Sequence, residues 1–422
     1  MAKLTLNDVD FGGKRVFVRV DYNVPMKAQD GQMVITDTTR ITATLPTLKH
    51  LMAQGAKLIL AAHLGRPKGE RVPTMSLAPV AVKLAELLGK PVAFANDCVG
   101  PEVDEAVAKL QPGDVLLLEN VRYHAAETPK EPAAESRAFA EALAKHAEAY
   151  VNDAFGSAHR AHGSTAGVPE IVKARGGQCA AGFLMEKELK FLGEELESPA
   201  RPFVVILGGA KVSDKIQVIN TLLDKADALL IGGAMAYTFR LAEKKPVGVS
   251  LVEPDKVADA EAALAKARER GVRLLIPTDD IAATRVDTGE QDKKGRPIFR
   301  YDNPHAVPGE IGDTEAGLDI GPETAGTYAE VISQAKTVVW NGPMGLFEDA
   351  RFAEGTLTVG RAVAAATQQG GAISIIGGGD SVTALNKAGL GDQVTWMSTG
   401  GGASLEFLEG KVLPGVAVLS DK

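Results

Sequence analysis

Basic side chains stand directly after the aliphatic runs of the first half of this 422-residue sequence. Arg19, Asp21 and Asn23 fall in RVDYN, His63 and Arg66 in AHLGRP, Arg122 and His124 in ENVRYH, and His159, Arg160 and His162 in NDAFGSAHRAH. Arg40, in TDTTRIT, opens a helical pattern. The arginine fork matches carboxylate and phosphate oxygens, so several arginines converging on one rim make a cavity for a small polyanion. One loop arginine is ordinarily a solvated surface charge, and Asp21 with Asn23 can simply cap a turn. Repetition after four runs, in a chain with 46 basic and 54 acidic residues and a net charge of −8, favours the anion site. Beside the cations, Asp21 and Asn23 can equally orient a substrate hydroxyl.

Glycines occupy the corresponding places in the second half: LGGAK (207–211), IGGAM (231–235), WNGPMG (340–345), IGGGD (376–380) and STGGGAS (398–404). Glycine lets backbone approach a ligand closely, and a glycine loop opening a helix aims N–H groups at phosphate. Five such loops point to a nucleotide-type ligand, although Gly232 and Gly233 can serve tight strand–helix packing alone. GxxxxGK[ST] is absent and no clean GxGxxG occurs, so neither common nucleotide fingerprint applies. Lys211 follows the first glycine pair, and Ser213 is expected to start a helix carrying Ile216, Ile219 and Leu223. Asp380, after three glycines, suits Mg²⁺ beside nucleotide phosphates or a plain helix cap.

The elements that must position these residues read as strand–helix repeats. The strand-like runs are 16–20, 58–62, 115–118 and 149–151, then 203–207, 228–231, 273–276, 337–340 and 372–376. They are continuously apolar, as in a parallel sheet covered by helices on both faces. Ser76 as N-cap, a stripe through Leu77, Val80, Leu84, Leu87 and Leu88, and Gly89 as stop mark one helix, and Ile41, Leu45, Leu48 and Leu51 mark another. The fold class is therefore α/β, with two lobes, each a doubly wound, mostly parallel, Rossmann-like sheet flanked by helices. Met185, Leu189, Leu192 and Leu196 predict an interdomain helix, with domains at 1–185 and 203–404 and a hinge at 186–202. The stretch from Ala283 to Gly312, rich in Asp, Gly, Pro and Lys, reads as an irregular surface excursion.

At roughly 150 residues per domain the chain has room for two or three domains. Two cysteines, Cys98 and Cys179, exclude a disulfide framework or a cysteine-rich zinc site. The acidic balance argues against a nucleic-acid or anionic-membrane partner. No apolar run reaches the roughly 18 residues of a spanning helix, and the N-terminus has no secretory core, so a cytoplasmic protein is expected.

RVDYNVP, TTRI, HLGRP, LEN with Arg122, VNDAFGSAHRAH, GGAKVSDKI, IGGAMAYTF, LDIGPET, VWNGPMGLFE, IIGGGDSVTA and STGGGASLEFLEGKVLPG, in this order from Arg19 to Gly415, closely resemble phosphoglycerate kinase. The resemblance implies a two-lobed monomer that moves a phosphoryl group between 1,3-bisphosphoglycerate and ADP, giving 3-phosphoglycerate and Mg-ATP. It makes the first lobe the acid-substrate side, with Asp21, Asn23, Arg40, His63, Leu64, Gly65, Arg66, Arg122 and Arg160. It makes the second the nucleotide side, with Gly209, Lys211, Lys215, Gly233, Asn341, Glu348, Gly377, Gly378, Gly379, Asp380 and Ser381, Asp380 reaching the metal. It also implies that the segment from about 405 to 422 packs back on the first lobe. Arg40, Lys211 and the amides of Gly378, Gly379, Gly401 and Gly402 are the groups expected to meet the moving phosphoryl. Two departures show: Ala62 stands where the family often has serine, and the 283–312 excursion is longer than in compact bacterial members. A nicotinamide-type oxidoreductase and a catalytically inactive nucleotide-binding scaffold of the same fold are the alternatives.

Overall fold

The computed structural model describes residues 2–129, 134–292 and 295–422. They divide into two compact units, one of residues 1–190 with 412–422, the other of residues 191–411. Each is built on a six-stranded, wholly parallel sheet.

The first unit contains β1 (Arg15–Val20), β2 (Met26–Gln29), β3 (Gln32–Ile35), β4 (Lys57–Ala61), β5 (Ala93–Ala95), β6 (Val115–Leu118), β7 (Ala149–Asp153) and β8 (Cys179–Ala181). Sheet order is β5-β6-β4-β1-β7-β8, while β2 and β3 form a separate hairpin. Val18 pairs with Leu60 on one side and Val151 on the other, and all three are fully buried. Parallel strands return through crossovers, so their carboxyl ends share one edge of the sheet. The strands that precede the basic loops, β6, β4, β1 and β7, are consecutive in that order.

The helix Thr39–Ala53 buries Ile41, Leu45, Leu48 and Leu51 and leaves Arg40 in its first turn. The helix Ala78–Leu88 stops at Gly89, whose φ of 69° is the left-handed conformation that glycine adopts without strain. Leu77, rather than Ser76, holds the position before this helix. Ser76 sits one residue earlier because its hydroxyl also donates to Glu119 at 2.7 Å, while still accepting from the Ala78 amide at 3.2 Å. The chain's last residues complete this unit: Asn152 Nδ2 donates to the Gly415 carbonyl at 2.9 Å, and the Gly415 amide to the Ala158 carbonyl at 2.8 Å.

The second unit contains β9 (Phe203–Leu207), β10 (Ala228–Ile231), β11 (Arg273–Leu275), β12 (Asp279–Gln291), β13 (Pro297–Pro308), β14 (Glu315–Ile320), β15 (Thr337–Asn341), β16 (Ile373–Gly377) and β17 (Trp396–Met397). Its parallel sheet runs β11-β10-β9-β15-β16-β17. Trp340 is fully buried there and its indole N–H donates to the Gly342 carbonyl at 2.7 Å. The helical run that leaves the first unit comprises Phe183–Leu189, a π-turn at Lys190–Glu194 and Glu195–Glu197.

Two sequence expectations are corrected in this unit. The 283–312 stretch is not irregular: β12 and β13 form a long antiparallel ribbon, with β14 on the other side of β12. Its outer half is solvated on both faces, which removes the apolar alternation that reveals a strand. Lys293 and Lys294 lie outside the described residues. The helix expected from Ser213 begins only at Ile216. Ser213 is instead held by Glu253, which accepts from its amide at 2.9 Å and its hydroxyl at 2.6 Å.

Candidate functional site

In the first unit the basic loops form one bonded cluster. Asn120, at the end of β6, clamps the backbone of Leu64. Its Nδ2 donates to the Leu64 carbonyl at 2.7 Å, and its Oδ1 accepts from the Leu64 amide at 3.3 Å and the Arg122 amide at 3.1 Å. The Leu64 side chain itself lies in the core, so only its backbone is available to a ligand. Gly65, at φ 63°, donates its amide to Asn23 Oδ1 at 2.8 Å and accepts Arg122 Nη1 at 2.9 Å on its carbonyl. A Cβ there would sit 2.8 Å from the sulfur of Met75. Loops after β1, β4 and β6 are thereby fixed to one another.

Asp21 lies among the cations and accepts Arg40 Nη1 at 2.7 Å. Burial works to raise its carboxyl, but His63, the charges of Arg40 and Arg19 and the Asn23 amide act the other way, and the group lies below its ordinary range. His63 is 6% exposed, and burial first, then Arg19, Arg122 and Arg40, hold its ring well below its ordinary value against the pull of Asp21. It is therefore neutral at pH 7. Burial, with Arg122 and Arg19, likewise brings His162 down to about 3. Arg66 and Arg160 are exposed; Arg66 acts on Arg122 and Arg160 on His162 through their charges. Arg19 is not on the rim at all: it lies within β1, fully buried.

The second unit separates two kinds of glycine that sequence could not. A Cβ on Gly208 would meet the Pro343 carbonyl oxygen at 2.0 Å, on Gly233 the Gly209 amide nitrogen at 2.4 Å, and on Gly342 the Gly208 oxygen at 2.3 Å. These loops are knit backbone to backbone. The Gly209 amide donates to the Pro343 carbonyl at 3.0 Å, Gly233 to Met344 at 2.8 Å and Met235 to Gly209 at 3.1 Å. Gly233 is hemmed in by the backbone of Gly209, whereas a Cβ on Gly209 itself would meet only Lys215, its Cε at 3.6 Å. Gly379 and Gly401 have nothing within 4 Å of a notional Cβ and face open space.

A polar junction lies at the ends of β15 and β16, where Asn341 and Gly377 are register partners. Lys215, 7% exposed, donates to the Asn341 carbonyl at 2.8 Å and to its Oδ1 at 2.5 Å. Burial pulls this ammonium down to about 8, with Asp214 and Asp380 acting in the opposite direction. The fully buried Ser381 hydroxyl accepts from the Gly342 amide at 2.7 Å. Gly378, at φ 83°, precedes the helix Gly379–Lys387, and Asp380 is exposed in its first turn. Lys211 is exposed; burial works to raise Glu253, but its bonds from Ser213 and Val212, with a smaller pull from Lys211, hold it below its ordinary range. Glu348 is exposed and lines a cleft of about 420 Å³ with Phe347, Arg361 and Lys387. Gly402 opens the seven-residue helix Gly402–Leu408, preceded by Gly401 at φ 52°.

Residues outside the sequence expectations also hold the site. Glu127 and Ser164, both fully buried, stand behind Arg19. The hydroxyl of Ser164 has no sequence signal beyond the HGST next to the basic loop. No helix among the described residues is long and apolar enough to cross a membrane.

Residues 6–411 match the family model for phosphoglycerate kinase. The chain is 52% identical over 422 residues to the phosphoglycerate kinase of Clostridium novyi, covering 100% of this chain and 99% of that one. It is 52% identical over 421 residues to that of Chloroherpeton thalassium, covering 100% of both. Among solved structures it is similar to the phosphoglycerate kinase of Coxiella burnetii, with a TM-score of 0.80 and 38% identity, covering 99% and 98% of the two chains. The enzyme from Pyrococcus horikoshii has a TM-score of 0.79 and 33% identity, with the same coverage.

Proposed function

The chain belongs to the phosphoglycerate kinase family, and from that premise we propose that it transfers a phosphoryl group reversibly between 1,3-bisphosphoglycerate and ADP, forming 3-phosphoglycerate and ATP. The observation that carries this reading is the bonded cluster of Arg40 on Asp21, Arg122 on Gly65 and Gly65 on Asn23 beyond the ends of β1, β4 and β6, with His63 beside it. Arg66, Arg122, Arg160 and His63 hold the phosphate and carboxylate of the acid, while Asp21 and Asn23 orient its hydroxyl. In the second unit Lys211, Lys215, Asn341, Ser381 and Glu348 serve the nucleotide.

The group that gains or loses phosphoryl is a carboxylate, with a pKa near 4, so no general base is needed at neutral pH. The transition state is loose and spreads charge over the phosphoryl oxygens, leaving positioning and electrostatics to the protein. Arg40 and Lys211 supply the cations, and the amides of Gly378 and Gly379 point along a helix start toward negative charge. Gly401 and Gly402 add backbone donors. The donor set also fits Mg²⁺ as it travels with ATP: one exposed carboxylate, Asp380, beside a helix start suits an ion held mainly by phosphate oxygens and water. When bound, the ion neutralises phosphate charge.

ADP release from Mg-ATP by the purified protein should depend strongly on 3-phosphoglycerate and be lost in Lys211→Ala. Turnover independent of 3-phosphoglycerate, or nucleotide binding with no turnover, as an inactive scaffold would give, overturns the reading.

In-line transfer needs reacting atoms about 3 Å apart, so we infer that the units close on their ligands, with the 183–197 helical run as the hinge element. In this reading the protein acts as a cytoplasmic monomer. Small-angle scattering should show one chain per particle and a smaller radius of gyration with both substrates than with either alone. Unchanged dimensions sink the closure; a doubled mass sinks the monomer.

A further inference from the structure

Arg19 is a fully buried charged side chain, and none of its hydrogen bonds among the described residues goes to a carboxylate. Burying a lone guanidinium is costly, so its donors must be satisfied and its charge balanced nearby. Its Nη1 donates to the Val20 carbonyl, its Nε to Ser164 Oγ at 2.9 Å and its Nη2 meets His63 Nδ1 at 3.0 Å. Asp21 acts on its charge from the rim side, and a second carboxylate is one hydroxyl away. Glu127 accepts the Ser164 amide on one carboxylate oxygen at 2.8 Å and the Ser164 hydroxyl on the other at 2.6 Å. Burial raises the Glu127 carboxyl, opposed by Arg19, the two bonds from Ser164 and Arg122.

The direction of every bond in this chain is fixed by chemistry. The amide of Ser164 can only donate, and its hydroxyl hydrogen is committed to Glu127. The hydroxyl oxygen is then free to accept from Arg19. Arginine has donors and no acceptor, so the nitrogen of His63 that faces it must be bare. The remaining ring proton sits on Nε2, where it can be given to an anionic oxygen. We propose that Glu127, acting through Ser164 and Arg19, is a positioning residue that fixes His63 in its Nε2–H tautomer, so that His63 meets the acid substrate as a hydrogen-bond donor. This rests on the first unit being the acid-substrate side.

Glu127→Gln tests the relay at constant shape. The Ser164 amide takes the amide oxygen of Gln, leaving the NH₂ to donate to the hydroxyl, which reverses that bond and removes one of the two negative charges, Glu127 and Asp21, that act with Arg19. Long-range ¹H–¹⁵N spectra report the ring protonation of each of the seven histidines, and the His63→Gln spectrum identifies the signal. Wild-type protein should show bare Nδ1 and protonated Nε2, and Glu127→Gln a mixture of tautomers or protonated Nδ1. In steady-state assays KM for 3-phosphoglycerate should rise about tenfold in Glu127→Gln, with KM for Mg-ATP unchanged. Ser164→Ala breaks the relay with Glu127 kept and should give the same spectrum, so a fold defect in one variant leaves the other to decide. A wild-type ring protonated on Nδ1, or a His63 spectrum unchanged in a folded variant of either kind, overturns the proposal. The spectra need no turnover, so they stand or fall apart from the reaction assigned above.

Discussion

Arg40→Ala is expected to lower kcat by about 10² to 10³, the usual effect of removing one group aimed at developing charge, with a far smaller change in KM. Arg40 reaches out from the first turn of the Thr39–Ala53 helix, is anchored by Asp21 at 2.7 Å, and keeps a side chain 36% exposed. Arg122, by contrast, is half-buried and its Nη1 is already given to the Gly65 carbonyl. Arg40→Lys should recover little, because a point charge does not reproduce the planar fork that spans Asp21 and a phosphoryl oxygen together. Steady-state kinetics at saturating Mg-ATP decide the matter. A variant with normal kcat and raised KM for 3-phosphoglycerate would reassign Arg40 to binding.

The second large effect falls on stability. Gly342→Ala forces a side chain into a backbone at φ 97° and places its Cβ 2.3 Å from the Gly208 oxygen and 2.9 Å from Lys215 Nζ. The nearer neighbour is backbone, so little can yield. Backbone strain of about 1 to 3 kcal/mol and overpacking of similar size together predict a loss of about 3 to 5 kcal/mol. Both tryptophans, Trp340 and Trp396, lie in the second unit, so their fluorescence follows that unit alone through urea unfolding. The midpoint should fall sharply. An unchanged midpoint would mean that the loops after β9 and β15 can separate at no cost.

Much of this arrangement was legible because parallel strands write themselves plainly. Their buried runs are apolar throughout, and the segments that follow them leave the sheet at one edge, so position alone placed Asp21, His63, Arg66, Arg122 and Arg160 beyond the strand ends. The limits are equally physical. A glycine that admits a ligand and a glycine that admits another backbone leave the same letter, so Gly208 and Gly342 could not be told from Gly379. A ribbon wetted on both faces, as in the outer halves of β12 and β13, has no apolar side to show. Arg19 read as a rim residue because its neighbours in RVDYN are, whereas one position of strand alternation turns it into the interior. Its counterpart Glu127 stands more than a hundred positions along in AETP, and nothing local marks an acid as buried.

The bond from Asn152 to Gly415 has a bearing on how this protein is made. Asn152 sits just ahead of the loop that carries His159, Arg160 and His162, and the strand neighbouring it, β8, accepts the Ser420 amide on the Cys179 carbonyl at 2.9 Å. Residues 191–411 separate these partners in the chain, and they are the whole of the other unit. A ribosome therefore finishes the second unit before it has released the last pieces of the first. Until then the nascent first unit keeps an open groove beside β7 and β8, so chaperone capture and proteolytic nicking of a stalled chain should concentrate there.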